Sequence, residues 1–311
     1  MIRINLTDDQ RAEIEKLMSK DMDDHLYTAI EEIEKYLNDK KFLKTAELIN
    51  TKEKINDICL LKNKSALLGF QKKFKKAFEE DTKDKSSSSV EEINKHLQEK
   101  YEKIYKNFSN RNVAFEILKV IQVNVCPYCN RQYTFTVKGK IRPEFDHFYP
   151  KSDYPYLAIS IYNLVPSCGL CNKGKSNIIS KNFLYPYEES FEDKEIYFEI
   201  PNVVGNLLKQ EKIDVKLKSE KNYEDLIKQY NDSFKIEFLY KQHSDYISEL
   251  LYKNYIFNDE AIESIYSSYD ELFESPSELK QLILGNYESR NFLQRPLSKL
   301  TNDIMCQINS K

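Results

Sequence analysis

Two cysteine pairs of identical spacing, Cys126-Pro-Tyr-Cys129 and Cys168-Gly-Leu-Cys171, limit the possible folds of this chain more than any other feature. A CxxC turn presents two sulfurs from one tight knuckle, and two knuckles supply the four ligands of a tetrahedral zinc site. Pro127 and Gly169 suit the tight turns. A thioredoxin-like redox pair needs only one CxxC at a helix start, and the remaining alternative is four core cysteines that meet by coincidence. The matched pairs point to structural zinc on Cys126, Cys129, Cys168 and Cys171, with no ligand position left open for catalysis. Cys59 and Cys306 lie in apolar, helix-like stretches, so cysteine usage fits reduced thiols better than a disulfide framework.

A chain of 311 residues can bury a sizeable core without such a clip, so the zinc site is local. No run of about 18 apolar residues is present to span a bilayer. The opening segment MIRINLTDDQRAEIEK lacks the apolar stretch of a secretory signal. The expected compartment is the cytosol. A formal net charge of -3 argues against coating nucleic acid through bulk charge. Local charge differs: between Cys126 and Lys181, Arg131, Lys138, Lys140, Arg142, Lys151, Lys173, Lys175 and Lys181 face only Glu144, Asp146 and Asp153. That excess suits a phosphate-bearing partner, although a solvated basic surface alone would read the same.

Residues 8 to 80 read as helices, with Ile14, Leu17, Met18, Leu26, Ile30, Ile33 and Leu37 near the helical period. A later helix carries Leu67, Phe70, Phe74 and Phe78 on one face and Lys72, Lys73, Lys75 and Lys76 around it. That face either meets nucleic acid or is the outer side of a core helix. The run DTKDKSSSSV, 81 to 90, reads as a linker. Ser89 and Glu92 then stand in capping-box register for a helix burying Ile93, Leu97, Tyr101 and Ile104. A second helix, about 111 to 121, leads into the first knuckle. Beyond the cysteines, EIYFEI (195 to 200) and KIDVKLK (212 to 218) alternate as strands should, with PNVVGN between them as a loop. The pattern is helical again from about 222.

Between the knuckles, His147 follows Asp146 in the strand-like segment EFDHFYP; Asn163 opens NLVPSC; Asn172 and Lys175 follow the last cysteine in CNKGK. This set resembles the HNH endonucleases of the ββα-metal class, in the variant whose third motif residue is Asn. The resemblance implies an α+β fold, a mostly helical chain around a ββα-metal HNH finger stapled by a four-cysteine zinc site. The implied organisation is a helical region at 1–85, a linker and helices at 86–125, the finger at 126–186, and short strands then helices at 187–311. CPYC, DHFYPKS, YNLVPSC and CNKGKS, with FLYPYEES and a following strand, further resemble the HNH nuclease subunits of Septu-type antiphage systems.

The resemblance carries roles residue by residue. His147 becomes the general base that takes a proton from attacking water. Asp146 and Asn172 offer hard oxygen ligands to a catalytic Mg²⁺ or Mn²⁺. Asn163 organises the loop that orients His147, though a turn asparagine would look the same. Lys175 contacts phosphate, or is a solvated helix lysine. The implied activity is metal-dependent phosphodiester hydrolysis of nucleic acid, DNA or RNA, beside an ABC-type ATPase partner. This chain has no Gly-rich phosphate loop of its own. The alternative is a non-catalytic zinc-finger nucleic-acid-binding or adaptor subunit, which leaves Asp146, His147 and Asn172 unexplained.

Overall fold

The computed structural model describes residues 1–178, 183–203, 213–285 and 289–309, except the side chain of Arg290. Its N-terminal half is helical for reasons visible in the caps. Helix α1 (Asp8–Asp21) opens on a capping box in which Thr7 and Gln10 satisfy each other's backbone N–H. A π-turn at Met22–Leu26 passes it into α2 (Tyr27–Asp39), whose buried side is Ile30, Ile33 and Leu37. Short helices α3 (Leu43–Glu47) and α4 (Lys52–Cys59) follow. Helix α5 (Lys64–Thr82) buries Leu67 and Phe74 and leaves Lys72, Lys73, Lys75 and Lys76 exposed. Phe74 stacks on Tyr156 with centroids 3.8 Å apart, a pair worth roughly 1 kcal/mol beyond its area burial. That contact ties α5 to the segment between the knuckles.

The expected linker at 81–90 is mostly helix: α5 continues to Thr82 and α6 runs Ser87–Asn110. The cap is not Ser89 with Glu92 but Ser86, whose backbone is extended and whose hydroxyl accepts from Ser89 N. The first serine takes the cap and the next three fit into the helix, so a serine run that reads as a spacer is a helix start. Helix α6 buries Ile93, Leu97, Tyr101 and Ile104 and packs on α2, on the turn at Pro155–Leu157 and on α7 (Asn112–Ile121). One apolar cluster draws on both ends of the chain, from Met1 to Met305.

The central unit is a hairpin and a helix. Strands β1 (Glu144–His147) and β2 (Leu164–Ser167) pair antiparallel with Asp146 opposite Val165, and α8 (Gly169–Lys175) follows. A second pair, β3 (Ile196–Glu199) and β4 (Lys216–Ser219), lies beyond it. β3 starts one residue later than expected because Glu195 is left-handed. β4 also starts later than expected, because the backbone of Ile213 bonds the Ser244 hydroxyl rather than a strand. Residues 204–206 of the expected loop, and residue 212, lie outside the described residues.

Six α-helices follow among the described residues: α9 (Glu224–Phe234), α10 (Ile236–Tyr240), α11 (Ser244–Ile256), α12 (Asp259–Ser268), α13 (Pro276–Leu284) and α14 (Ser298–Asn309). α9 packs on α8, and α14 packs on β3. The result is a mostly helical α+β chain. No helix among the described residues is long and apolar enough to cross a membrane.

Candidate functional site

The four cysteines meet. One sulfur from each of Cys126, Cys129, Cys168 and Cys171 lies within 4.8 Å of the others, and the Cys129 and Cys168 sulfurs are 3.9 Å apart. Thiolates about 2.3 Å from a tetrahedral zinc lie roughly 3.8 Å from one another, so this spacing fits the ion. None of the four is in a disulfide, and only Cys168 is not fully buried. They do not titrate alike: burial pushes Cys126 up, and hydrogen bonds from neighbouring thiols pull Cys129 and Cys168 down. A dication resolves that conflict by taking all four as thiolates.

The scaffold around the first knuckle comes from distant sequence. Asn130, left-handed and buried, donates to Phe292 O and accepts from Lys299 N. Tyr240 donates to Cys129 O at 2.6 Å. The N-terminal tail joins in, with Ile2 N donating to Pro127 O.

β1 and α8 meet in a regular way. Glu144 and Asp146 share one face of β1, about 6.6 Å apart along the strand, and Asn172 and Lys175 share one face of α8 at an i, i+3 spacing of about 5–6 Å. The first residues pair, with Asn172 Nδ2 donating to Glu144 Oε2 at 2.7 Å, and so do the second, with Lys175 Nζ 3.1 Å from Asp146. Lys175 also donates to His147 O at 2.7 Å and is buried. The expectation that it contacts phosphate is therefore corrected: its ammonium faces inward, taken by a carboxylate and a carbonyl. Glu144 can only accept, so the amide nitrogen of Asn172 faces it and the Asn172 oxygen is directed away.

Asp146 also accepts from the Tyr128 hydroxyl at 2.6 Å. Burial pushes its carboxyl up, against the pull of Lys175 and Tyr128, and burial likewise lowers Lys175 against the pull of Asp146. His147 is only 8% exposed. Burial pushes its imidazole down to about 3, so the ring is neutral near pH 7. Its Nε2 lies 3.2 Å from Ala158 O, and Tyr105 packs edge-on against it at 4.5 Å between centroids. A carbonyl only accepts, so Nε2 carries the hydrogen and Nδ1 keeps its lone pair.

Asn163 fastens the intervening loop. Its side-chain oxygen accepts from Tyr149 N at 2.8 Å, and its nitrogen donates to Tyr149 O and Leu157 O. Asp146, His147 and Asn172 line one cleft with Tyr105, Lys151 and Ser176. Sequence reasoning missed Tyr105, Tyr128 and Glu144. The place of Tyr128 inside the first knuckle was the one signal available for it. The cysteines are the one group of His, Cys, Asp or Glu donors gathered closely enough to hold a metal among the described residues.

No family model matches the chain, and no solved structure matches it. It is 29% identical over 115 residues to "Protein ea31" of Escherichia phage lambda, a match covering 35% of this chain and 36% of that protein. The chain thus spans about a third of the length of this curated relative.

Proposed function

We propose that the cleft at Asp146, His147 and Asn172 hydrolyses phosphodiester bonds of nucleic acid, in the manner of an HNH endonuclease with a structural zinc on its four cysteines. The observation that carries this reading is His147: a neutral ring whose Nε2–H is held by Ala158 O, leaving Nδ1 unprotonated in a ring that lines the cleft. Such a ring accepts a proton from attacking water at Nδ1, and the Ala158 carbonyl stabilises the imidazolium that forms. Asn163 supports the reading by fixing both ends of the loop that carries Ala158. Asp146 and the Asn172 oxygen, which points away from Glu144, would hold Mg²⁺ or Mn²⁺, which when bound stabilises charge on the phosphoryl and leaving oxygens.

The wider assignment is to a nuclease effector of a Septu-type antiphage complex, acting in the cytoplasm and controlled by an ABC-type ATPase partner. Exposed apolar side chains on the C-terminal helices, Phe238, Tyr255, Ile256 and Leu282, support a docking surface there.

A second reading, a zinc-stapled nucleic-acid-binding or adaptor subunit without catalysis, is favoured by two observations. Lys175 and Tyr128 already engage the Asp146 carboxylate, and a His147 pushed down to about 3 is a weak base. It requires only the cysteine cluster and the local basic charge. The deciding experiment offers plasmid DNA, single-stranded DNA and tRNA to the wild type and to His147→Ala, with Mg²⁺ or Mn²⁺ and with the partner present. Cleavage by the wild type and none by the variant supports the nuclease. Undiminished cleavage by the variant removes His147 from the chemistry, and binding without cleavage by the wild type selects the second reading.

A further inference from the structure

The cysteine finger carries an appendage that neither the zinc site nor the cleft uses. After the first knuckle the chain runs outward through Tyr133 and Phe135, turns at Lys138-Gly139-Lys140, and returns through Ile141 and Arg142 to β1. Val137 and Ile141 exchange backbone hydrogen bonds across the turn, and Gly139 supplies the left-handed residue at φ 70. The base is pinned: Thr134 donates through its N–H to Asn124 O and through its hydroxyl to Val123 O. With Thr134 facing inward, Tyr133 and Phe135 share the outer face. Their rings stack at 4.5 Å and 19°, yet they remain 51% and 49% exposed.

Two half-exposed stacked rings leave apolar area in water, and the charge of the segment that carries them indicates what covers them. Residues 131–142 contain Arg131, Lys138, Lys140 and Arg142 and no acidic residue. Lys138 pairs with Glu116, and Arg131 donates to His243, whereas Lys140 is exposed with no ion-pair partner among the described residues. Stacked aromatic faces on a segment that carries four cations and no acid match a strand of nucleic acid with unpaired bases: the bases stack, and the phosphates meet the charges. A duplex keeps its base faces covered and offers the rings nothing. The returning arm ends beside the cleft, because Arg142 lies over the Phe145 ring and within electrostatic reach of Tyr105, which packs on His147.

We propose that residues 131–142 are a tongue that binds single-stranded nucleic acid, stacking unpaired bases on Tyr133 and Phe135 and directing the strand toward the cleft. This rests on the nucleic-acid reading above and names its substrate form. The test measures binding rather than cleavage, using full-length protein on the His147→Ala background in magnesium-free buffer. The probes are fluorescein-labelled oligothymidylate, oligouridylate and a duplex of equal length, read by fluorescence anisotropy.

The single strands should bind more tightly than the duplex. Tyr133→Ala with Phe135→Ala should weaken single-strand binding roughly tenfold or more and leave the duplex nearly unchanged. The chain has no tryptophan, so Phe135→Trp introduces a single indole whose emission should be quenched by either single strand. It also keeps the proposal testable if the double variant loses zinc or thermal stability. Unchanged single-strand binding by a folded double variant, absence of quenching at saturation, or preference for the duplex would each overturn the proposal. So would a dimer that the double variant dissolves, which would make the tongue an interface between copies. If the wild type cuts nothing but the tongue variants lose binding, the cleavage reading fails and the tongue stands. If it cuts and the tongue variants bind normally, the reverse holds.

Discussion

The Lys175 ammonium lies 3.1 Å from the Asp146 carboxylate, with both side chains almost wholly excluded from water. Desolvation opposes both charges, so what holds them is each other, together with the Tyr128 hydroxyl and the His147 carbonyl. Removing one partner leaves the other buried and uncompensated, which typically costs about 3–5 kcal/mol. Lys175→Met should therefore destabilise by that order in urea denaturation. Lys175→Met combined with Asp146→Leu should recover part of the loss, because the apolar pair removes both buried charges, while the Tyr128 hydroxyl and the His147 carbonyl each lose a partner. Additive losses in this cycle would mean that the pair does not act as a unit.

The cysteine cluster predicts one zinc per chain. Cys126→Ser and Cys171→Ser should each abolish zinc retention by elemental analysis, while Cys306→Ser, far from the cluster in sequence, keeps it. Structural zinc sites contribute about 10 kcal/mol or more in isolated finger peptides. Here Asn130, Tyr240 and the N-terminal tail also hold the knuckle. The expected loss is a fraction of that figure, read as a lower thermal midpoint after chelation. A chelated protein with an unchanged midpoint and no zinc before treatment would dismiss the metal.

How much of this was legible in the sequence follows from how local each cause is. The cysteine knuckles were legible because a CxxC turn fixes two sulfurs covalently, and Asp146 and His147 because they are neighbours on a strand. The partners of those residues were not, since Tyr105 arrives from α6 and Tyr240 from α10. Lys175 was misread because composition cannot tell an inward lysine from an outward one. Its direction is set by the match between alternate residues of β1 and the i, i+3 face of α8. The serine run at 86–89 failed for a related reason: serine composition suits a spacer and a helix cap equally, and only the packing of α6 decides.

Two helical glycines should respond in opposite directions. A Cβ at Gly174 would sit 2.6 Å from the Ser233 carbonyl, so α8 approaches α9 as closely as backbone permits. Gly174→Ala has to push the helices apart, at a cost of about 1–3 kcal/mol. Gly69, inside α5, has nothing within 4 Å of its Cβ position. Gly69→Ala should gain about 0.5–1 kcal/mol from helix propensity alone. Thermal melts of the two variants read the difference, and a neutral Gly174→Ala would refute the close approach.

Acid should destabilise the fold through half-buried His96 and buried His147. His96 stacks on Tyr36 with centroids 3.6 Å apart, and its Nε2 is buried with no hydrogen-bond partner among the described residues. Burial lowers its pKa from the ordinary 6.5, with Lys100 acting the same way. The unfolded chain therefore binds the proton more readily, so stability falls as pH drops below about 6.5. His147, pushed down to about 3, contributes in the same direction. His96→Phe keeps a ring on Tyr36 and removes one titration. Its unfolding free energy in urea should decline less than that of the wild type between about pH 7.5 and about pH 5.5, a range to be checked for retained zinc. One displaced proton is worth at most about 1.4 kcal/mol per pH unit, so the two curves should diverge by less than that per unit. Parallel curves would show that His96 titrates in the folded chain as it does in the unfolded one.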